Sequence, residues 1–358
     1  MNKAPCILLT GGGTLGPVTP LLAVAEVWRE QGEETEFAWI GTKKGPERAL
    51  VETYRMPFFS LHAPKLDRGR KWKWVFIPFF MLWSLFRAWR LLSEIEPDVV
   101  MSAGGYVSVP VVIMARIMGM YVWIHQLDRV PGLANKIMAP FAHRISVTVD
   151  ESLEAFPEKK RLDVGAVVRP GMWKGDPKQA RQKLSLPEQE GRLTLLVFGG
   201  GTGAESINNM MAVIGAELVE KMDVIHLTGK GKWDAVFETF GDRYVALEFL
   251  GAGMANALTL ADMVVGRAGM GTIMELSVLK KASILLPLPN TDQLGNARML
   301  EEREAAKIVR SVNPQILKQE IQRLAQDASL RHTYSRRMSM LFYAHGAQKI
   351  VEELRRVT

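Results

Sequence analysis

The chain has 358 residues, of which 47% are hydrophobic and 23% charged, a composition that excludes an intrinsically disordered protein. Its length suits two domains, and its single cysteine, Cys6, excludes an internal disulfide and is typical of a reducing compartment. The net charge of +7 suits nucleotides, nucleic acid or acidic lipid headgroups as partners. Of these we expect no nucleic acid. The apolar run at the N-terminus is too short for a signal peptide, so we expect a cytoplasmic protein.

The first predicted element is a strand over 4–10, which leads into a glycine loop over 11–16 and a helix that begins near Pro20. Glycines let the main chain approach a ligand, and the free N–H groups at a helix N-terminus favour an anion. The same succession of strand, glycine loop and helix occurs again near residue 195, where a strand over 194–198 leads into a glycine loop over 199–204 and a helix. Because strands and helices alternate throughout, we predict an α/β protein of two doubly wound domains.

The domain boundary is predicted near 163–171, a stretch followed by a charged run. We assign 1–165 to an N-terminal domain and 166–339 to a C-terminal domain. The helix predicted over about 340–358 is expected to pack back on the N-terminal domain.

Residues 65–92 combine a basic cluster with an apolar run over 74–86, which is well short of the roughly twenty residues that span a bilayer. Tryptophans beside basic residues are typical of the membrane interface. The alternative is a buried crossover helix between two strands. We favour a mixture of the two, with these lipid contacts: Trp72, Trp74, Phe76, Phe79, Phe80 and Trp83.

The stretch 261–300 predicts a strand over 261–266, a loop over 267–271 and a helix capped by Thr272. Glu275, one turn inside that helix, is placed to accept two sugar hydroxyls. Another strand, over 283–288, opens into the polar residues 289–293 at the end where open α/β sheets bind ligands. The alternative interpretation is an ordinary βαβ unit with polar loops.

Both glycine loops also fit the dinucleotide-binding pattern, which requires an acidic residue at the end of the following strand. Those strands end in Ile-Gly-Thr-Lys at 40–43 and Leu-Thr-Gly-Lys at 227–230. Neither contains the acidic residue. The glycines therefore indicate a main chain that approaches phosphate or substrate more than they indicate a nicotinamide cofactor.

Eight stretches of the chain resemble the MurG glycosyltransferases: 12–25, 97–115, 125–136, 165–170, 199–208, 228–231, 267–276 and 292–297. The resemblance implies the GT-B fold, two Rossmann-like doubly wound domains with a cleft between them. It also implies inverting transfer of N-acetylglucosamine from its UDP form to undecaprenyl-linked muramyl-pentapeptide (lipid I), which gives lipid II. No cofactor is implied, and no Asp-x-Asp pair or His/Cys cluster predicts a metal site.

The resemblance implies that the C-terminal domain binds the donor. Arg169 would contact the diphosphate, because arginine stays charged and can donate in a fork. Leu250 would recognise uracil through its main chain, Glu275 would accept the ribose hydroxyls, and the amide of Gln293 would read the sugar hydroxyls. The whole implied donor-binding set is Thr14, Leu15, Gly16, Asp128, Arg169, Gly201, Leu250, Met270, Gly271, Thr272, Ile273, Met274, Glu275 and Gln293.

The N-terminal domain would bind the acceptor through Gly104, Gly105, Tyr106 and Asn135. The chain departs from the family at Pro17, where the family has a histidine thought to assist proton removal from the attacking hydroxyl. Proline has no ionisable group. Gln126, Leu127 and Asp128 also replace the family's glutamate, glutamine and asparagine. Three residues remain as candidates for the catalytic base: Asp128, His125 and Glu205. Among them we favour Asp128.

Three functions therefore compete. The first is the MurG reaction at the cytoplasmic face of the cell membrane, by a peripheral protein whose partners are UDP-N-acetylglucosamine, lipid I and an anionic membrane surface. The second is another lipid-directed UDP-sugar transferase, such as one that uses diacylglycerol. The third, suggested by Pro17, is a binding homologue that turns over poorly.

Overall fold

The structure is a computed structural model in which we describe residues 4–32, 34–64, 77–188, 190–200 and 203–358. The chain forms two compact units. The first comprises the chain up to Arg169 together with Tyr343–Thr358, and the second comprises Pro170–Phe342. The predicted lipid contacts Trp72, Trp74 and Phe76, and the predicted donor residue Gly201, lie outside the described residues.

The first unit is built on a seven-stranded parallel sheet of order β3-β2-β1-β4-β5-β6-β7. Its strands are β1 (Cys6–Thr10), β2 (Glu36–Gly41), β3 (Phe58–Ser60), β4 (Val99–Ser102), β5 (Tyr121–Gln126), β6 (Arg144–Val147) and β7 (Arg161–Asp163). Its helices are α1 (Thr19–Glu30), α2 (Glu47–Thr53), α3 (Ile77–Ile95), α4 (Ser108–Ile117) and α5 (Leu133–Met138). The central strands β1 and β4 are buried along their whole length, because helices cover both faces of the sheet.

The second unit is built on a six-stranded parallel sheet of order β10-β9-β8-β11-β12-β13. Its strands are β8 (Leu193–Phe198), β9 (Met222–Leu227), β10 (Tyr244–Leu247), β11 (Met263–Gly266), β12 (Ala282–Leu285) and β13 (Lys307–Ile308). Its helices are α6 (Pro177–Lys183), α7 (Glu205–Val219), α8 (Met254–Leu260), α9 (Met270–Val278), α10 (Gln293–Glu302), α11 (Pro314–Gln326) and α12 (Ala328–Ser339). Asp327 follows the last residue of α11 and is also the N-cap of α12. Its side chain accepts the N–H of Leu330 at 2.8 Å.

The last helix, α13 (Gly346–Leu354), belongs to the first unit and packs against α1. Its buried face consists of Ala347, Ile350, Val351 and Leu354. The guanidinium of Arg355 lies 5.7 Å from the ring centroid of Trp28 in α1, a cation–π distance. The C-terminal segment therefore completes the core of the first unit.

Each sheet has one position where the strand order reverses, between β1 and β4 in the first unit and between β8 and β11 in the second. The loops at such a switch point diverge to opposite sides of the sheet and leave a crevice for ligands. The glycine loop over 11–16 follows β1, and the glycine loop that starts at 199 follows β8. The predicted loops thus lie where doubly wound sheets bind ligands.

Candidate active site

Two glycine loops meet at the switch point of the first sheet, one after β1 and one after β4. Gly13, Gly104 and Gly105 have φ values of 86°, 104° and 92°, which residues with a side chain rarely adopt. A Cβ atom on Gly105 would lie 2.8 Å from the carbonyl oxygen of Gly12. The two loops therefore touch through their main chains, and this contact requires glycine.

The rest of the first loop turns into α1. Thr14 and Gly16 are exposed. The carbonyl oxygen of Leu15 accepts the N–H groups of Val18 and Thr19 at 3.1 and 3.3 Å. This turn presents residues 14–16 on the surface of the unit at the end of β1.

Pro17 and Tyr106 border the contact between the loops. A Cβ atom on Gly11 would lie 3.4 Å from Cβ of Pro17, and one on Gly13 would lie 2.9 Å from Cε1 of Tyr106. Residue 17 therefore lies at the switch point, but with a side chain that cannot take up a proton. Burial, and then the negative charge of Glu47, raise the pKa of Tyr106 above its usual value, so its hydroxyl stays protonated at neutral pH.

Glu47 is a residue of this region that the sequence analysis did not identify. It is 0% exposed, and its carboxylate accepts the N–H of Thr42 at 2.6 Å and the N–H of Gly13 at 3.2 Å. It also accepts a short hydrogen bond from the Thr42 hydroxyl. The available signal was weak, because a glutamate at the start of a helix is usually exposed and favours the helix dipole.

The structure places His125, one of the predicted candidates for the base, inside the core of the first unit. Its side chain is fully buried, with Nδ1 2.9 Å from the Ser146 hydroxyl and Nε2 3.2 Å from the Thr148 hydroxyl. Burial lowers the pKa of His125 to about 3. Both ring nitrogens are occupied inside the core, so the geometry favours a structural role for this imidazole over the role of base.

The loop after β5, residues 127–132, is held by a pair of buried amides. Nε2 of Gln126 donates to the carbonyl oxygen of Asp128 at 2.7 Å, and Oε1 of Gln126 accepts from Nδ2 of Asn135 at 2.6 Å. Asn135 is 5% exposed, and among the described residues its Oδ1 atom has no hydrogen-bond partner. A Cβ atom on Gly104 would lie 3.3 Å from this oxygen. The structure thus brings Asn135 to the second glycine loop, with one unused acceptor. The carboxylate-bearing Asp128 is half-buried.

Arg169 belongs to the first unit and is the residue at which the chain passes into the second unit. Its guanidinium lies 3.5 Å from the Tyr54 hydroxyl, which donates to the Glu26 carboxylate at 3.3 Å. Burial raises the pKa of Tyr54, whereas Arg169 opposes that rise. The predicted diphosphate contact is therefore half-buried beside α1 and α2.

In the second unit, α9 begins earlier than predicted. Gly269 precedes it with extended main chain and Met270 is its first residue, so Thr272 is the third residue of the helix and not its cap. The N–H of Ile273 already donates to the carbonyl oxygen of Gly269 at 3.0 Å. The free N–H groups at a helix start belong to its first residues, so Met270, Gly271 and Thr272 can offer them to a ligand, whereas Ile273 cannot.

Residues around the start of α9 converge from α7, β12 and α10. Arg267, in the loop after β11, donates to the Ser206 hydroxyl at 2.6 Å and to the Leu286 carbonyl at 3.1 Å. Oε1 of Gln293 accepts the N–H of Leu288 at 2.9 Å. A Cβ atom on Gly269 would lie 3.9 Å from Nε2 of Gln293. This places the Gln293 amide group beside the helix start.

Arg267 is a second residue that the sequence analysis missed, although the prediction of a loop at 267–271 included it. It is half-buried, and burial lowers its pKa from the ordinary arginine value. An arginine remains charged despite such a shift. It adds a positive charge at the switch point between β8 and β11.

The other predicted residues of this unit are more scattered. Glu275 and Met274 lie in the second turn of α9, the former half-buried and the latter buried. The carbonyl oxygen of Leu250 accepts the N–H of Gly253 at 3.0 Å in a short turn before α8. Glu205, the first residue of α7, is exposed. It belongs to a different unit from Asp128 and His125.

Helix α3 has large aromatic side chains on its exposed face and small or aliphatic ones on its buried face. Phe79 is 69% exposed and Trp83 is 47% exposed. The buried positions include Ser84 and Ala88, and the helix packs on α4 through this side. The exposed large apolar residues of this helix, called the α3 aromatic face below, are Phe79, Phe80, Leu82, Trp83, Phe86 and Trp89. The predicted buried crossover helix and the predicted exposed aromatics are therefore opposite faces of one helix.

The described ranges contain neither a membrane-spanning helix nor a cluster of metal-binding side chains. No helix there is long and apolar enough to cross a membrane. Nor do those residues contain three or more His, Cys, Asp or Glu side chains grouped so that they could hold a metal ion.

Comparison with known proteins identifies the family. Residues 7–147 match the glycosyltransferase family 28 N-terminal domain, and residues 194–354 match the glycosyltransferase family 28 C-terminal domain. The chain is 34% identical over 356 residues to the UDP-N-acetylglucosamine--N-acetylmuramyl-(pentapeptide) pyrophosphoryl-undecaprenol N-acetylglucosamine transferase of Clostridium perfringens, with 98% of each chain covered. It is 36% identical over 335 residues to the transferase of the same name from Lachnospira eligens, with 92% of each covered.

Among solved structures, the crystal structure of Acinetobacter baumannii MurG matches with a TM-score of 0.74 at 24% identity, covering 98% of this chain and 99% of that one. This likeness concerns the fold. Together with the two parallel-sheet units, it confirms the predicted GT-B class. The sequence matches extend over both units at identities of 34% and 36%. The chain therefore belongs to the MurG family of glycosyltransferases.

Proposed function

We propose that the chain transfers N-acetylglucosamine from UDP-N-acetylglucosamine to the undecaprenyl-pyrophosphoryl muramyl-pentapeptide lipid I, which gives lipid II for peptidoglycan synthesis. The observation that carries this proposal is the match at 34% identity over 98% of the chain to a transferase named for this reaction. Pairs of loops at the switch points of two sheets supply one site for each substrate.

The donor is assigned to the second unit. The N–H groups of Met270, Gly271 and Thr272 at the start of α9 face the diphosphate of UDP, where the helix dipole favours negative charge. Arg267 adds a fixed positive charge at the same switch point. The carboxylate of Glu275 accepts the ribose hydroxyls, and Gln293 reads hydroxyls of the sugar with its amide. Leu250 provides main-chain contacts to uracil, and Arg169 is assigned to the diphosphate.

The acceptor is assigned to the first unit. The glycine loops at 11–16 and 103–107 bring main chain close to the lipid-linked diphosphate. The unpartnered Oδ1 of Asn135 is an acceptor for a hydroxyl or amide N–H of the muramyl-peptide. Tyr106 stays protonated and donates a hydrogen bond. These groups recognise both the charged and the neutral parts of the substrate.

In the reaction, a hydroxyl of the acceptor attacks the anomeric carbon of N-acetylglucosamine. The new C–O bond forms as the bond to UDP breaks, UDP leaves with the electron pair, and the configuration inverts. The hydroxyl proton passes to Asp128, since Pro17 cannot accept it and His125 is buried. Glu205 is the remaining candidate base if Asp128 is dispensable.

The α3 aromatic face is assigned to an anionic membrane surface on the cytoplasmic side, where a polyprenyl-linked acceptor is available. Aromatic rings at headgroup depth and cations near anionic lipid favour such binding. Arg87 lies with its guanidinium 5.9 Å from the ring centroid of Trp83, so the face carries positive charge as well as apolar area. This makes the protein peripheral to the membrane.

The second candidate function is a homologue that binds both ligands and turns over poorly. Pro17 favours it, because that position packs against Gly11 of the first glycine loop and cannot accept a proton. Transfer measured with lipid I, diacylglycerol and no acceptor distinguishes the possibilities. The proposal requires sugar on lipid I. Sugar on diacylglycerol points to another lipid-directed transferase, and UDP binding without transfer points to the binding homologue.

A further inference from the structure

Glu47 is a charged residue without contact to solvent. It is 0% exposed and begins α2. An ionised carboxylate in such a place is strongly destabilising unless hydrogen bonds compensate for its lost hydration. Three do: one oxygen accepts the N–H and hydroxyl of Thr42, and the other accepts the N–H of Gly13 at 3.2 Å. All three donors point toward the carboxylate, so this position requires an acceptor on both oxygens.

The surrounding glycines make room for this carboxylate. A Cβ atom on Gly12 or on Gly45 would overlap the carboxylate oxygens of Glu47. Gly12 in turn touches the second glycine loop, since a Cβ atom on Gly105 would lie 2.8 Å from its carbonyl oxygen. The contacts form a continuous series from Glu47 through the first loop to the second loop.

Tyr106 stands at the end of this series. A Cβ atom on Gly13 would lie 2.9 Å from its Cε1 atom, so the loop that Glu47 holds packs directly against the Tyr106 ring. Glu47 therefore lies two contacts away, through Gly13, from a side chain assigned to the acceptor.

We propose that Glu47 is a positioning residue for the lipid-linked acceptor, holding the first glycine loop in the shape that fits the second loop and Tyr106. The inference rests on the proposed function of the first unit. Glu47 touches neither the substrate nor the reacting atoms. It fixes the loop before the ligand arrives, which reduces the cost of ordering the site on binding. It also directs the N–H of Gly13 inward, so this N–H does not serve as a phosphate ligand.

Substitution of Glu47 by Gln tests the proposal with little change in volume. Glutamine has a single oxygen, and its NH2 group would face an N–H donor on one side. We expect kcat/KM for lipid I to fall by about tenfold to a hundredfold, the scale of a small misplacement in a binding site. UDP is assigned to the other unit, so its Kd should stay within about twofold of the wild-type value. This is a much smaller change than a tenfold change in Kd, which corresponds to roughly 1.4 kcal/mol. Glu52→Gln, on an exposed position of the same helix, is the matched control and should behave as wild type.

A double-mutant cycle with Tyr106→Phe separates positioning from general stability. Residues that act through one another are non-additive, whereas independent effects add. We therefore expect Glu47→Gln to lower kcat/KM much less in the Tyr106→Phe background than in the wild type. Additive losses, or an equal loss of UDP affinity, would overturn the proposal and indicate a purely structural role.

Two further measurements keep the test decisive. If Glu47→Gln does not fold, Thr42→Val removes one donor from the same carboxylate and should produce a smaller loss in the same direction. The wild-type protein could bind lipid I in detergent micelles and yet transfer no sugar. The proposed function would then fail, and the inference would be tested by comparing the lipid I affinities of the wild type and the variants. Unchanged lipid I affinity and turnover in both variants would contradict the inference alone. Wild-type protein that does not bind lipid I would contradict the proposed function, and the inference with it.

Discussion

The side-chain amide of Gln126 donates to the main-chain carbonyl of Asp128 at 2.7 Å. The same amide accepts from Asn135 at 2.6 Å, so one residue joins the end of β5, the loop that carries Asp128 and helix α5. The resemblance to the MurG family places a glutamate at 126 and an asparagine at 128. A glutamate could not donate to the carbonyl of residue 128. In this chain the carboxylate therefore stands at the half-buried position 128 instead of the buried position 126. The amide at position 126 holds the loop.

This relationship leads to the first prediction. Asp128→Asn should reduce the rate of transfer by about 10²–10⁴-fold, the usual loss when general-base assistance is removed. The Kd of UDP should not change. Steady-state transfer to lipid I measures the first effect and calorimetry the second, with Glu158→Gln, an exposed change in the same unit, as the control.

A second substitution in that background tests the vacated position. Pro17→His in the Asp128→Asn protein should recover part of the lost rate, because residue 17 packs against Gly11 of the first glycine loop at the switch point. Wild-type turnover in Asp128→Asn would show that Asp128 is not the base, and Glu205→Gln would then be the variant to measure.

Donor binding gives another prediction. Glu275→Ala should weaken UDP binding, since the ribose hydroxyls lose a charged acceptor worth about 1.5–3 kcal/mol per hydrogen bond. Calorimetry with UDP measures the effect. Glu238→Ala removes an exposed carboxylate from another part of the same unit and should bind UDP as the wild type does. Equal affinities in the two variants would refute the assignment of Glu275.

The α3 aromatic face can be tested with vesicles. Replacing Phe79, Trp83 and Phe86 with serine should release the protein from anionic vesicles in a sedimentation assay and leave UDP affinity unchanged. High salt should weaken the wild-type interaction, because its electrostatic part is screened. The matched control replaces three exposed apolar residues of the second unit with serine: Val213, Val312 and Ile316. If the α3 variant sediments as before, this face does not bind the membrane.

The buried His125 predicts a pH dependence of stability. Its pKa is lowered to about 3 in the folded protein, against about 6.5 in an unfolded chain. Between these values the unfolded state binds one more proton, so this residue makes the folded protein less stable as the pH falls, by about 1.4 kcal/mol per pH unit. The destabilisation by His125 is absent at pH values above the unfolded-state pKa and greatest at pH values below the folded-state pKa.

Denaturant unfolding at several pH values measures this effect. His125→Gln should reduce the slope of unfolding free energy against pH between about 6 and 4. His332→Gln, at an exposed position, should leave more of that slope in place. Equal slopes in wild type and His125→Gln would mean that the buried imidazole does not titrate as its surroundings imply.

The architecture could be predicted because it depends on periodicity and glycine. Alternating strands and helices predict parallel sheets, and the loops at 11–16 and from 199 fall at the switch points that such sheets create. Local signals were less reliable at the start of α9. Thr272 is a good capping residue, but Gly269 with extended main chain precedes the helix and sets its start three residues earlier.

The site itself depends on contacts between residues distant in sequence. Glu47 is enclosed by its neighbours Thr42 and Gly45 and by the distant first glycine loop at Gly12 and Gly13; the contact with the distant loop has no signal in the sequence. The two hydroxyls that enclose His125 come from β6 and the residue after it, more than twenty positions away. Asp128 and Asn135 could be located from the sequence, whereas the amide of Gln126 that links them could not.

The most direct measurement is the product of wild-type protein incubated with UDP-N-acetylglucosamine and lipid I in vesicles. Mass spectrometry of the extracted lipid should show lipid I with one added N-acetylhexosamine, and NMR should show that the new bond has the configuration opposite to that in the donor. UDP release without sugar on the lipid, or a product with the donor's configuration retained, would contradict the proposed inverting transfer.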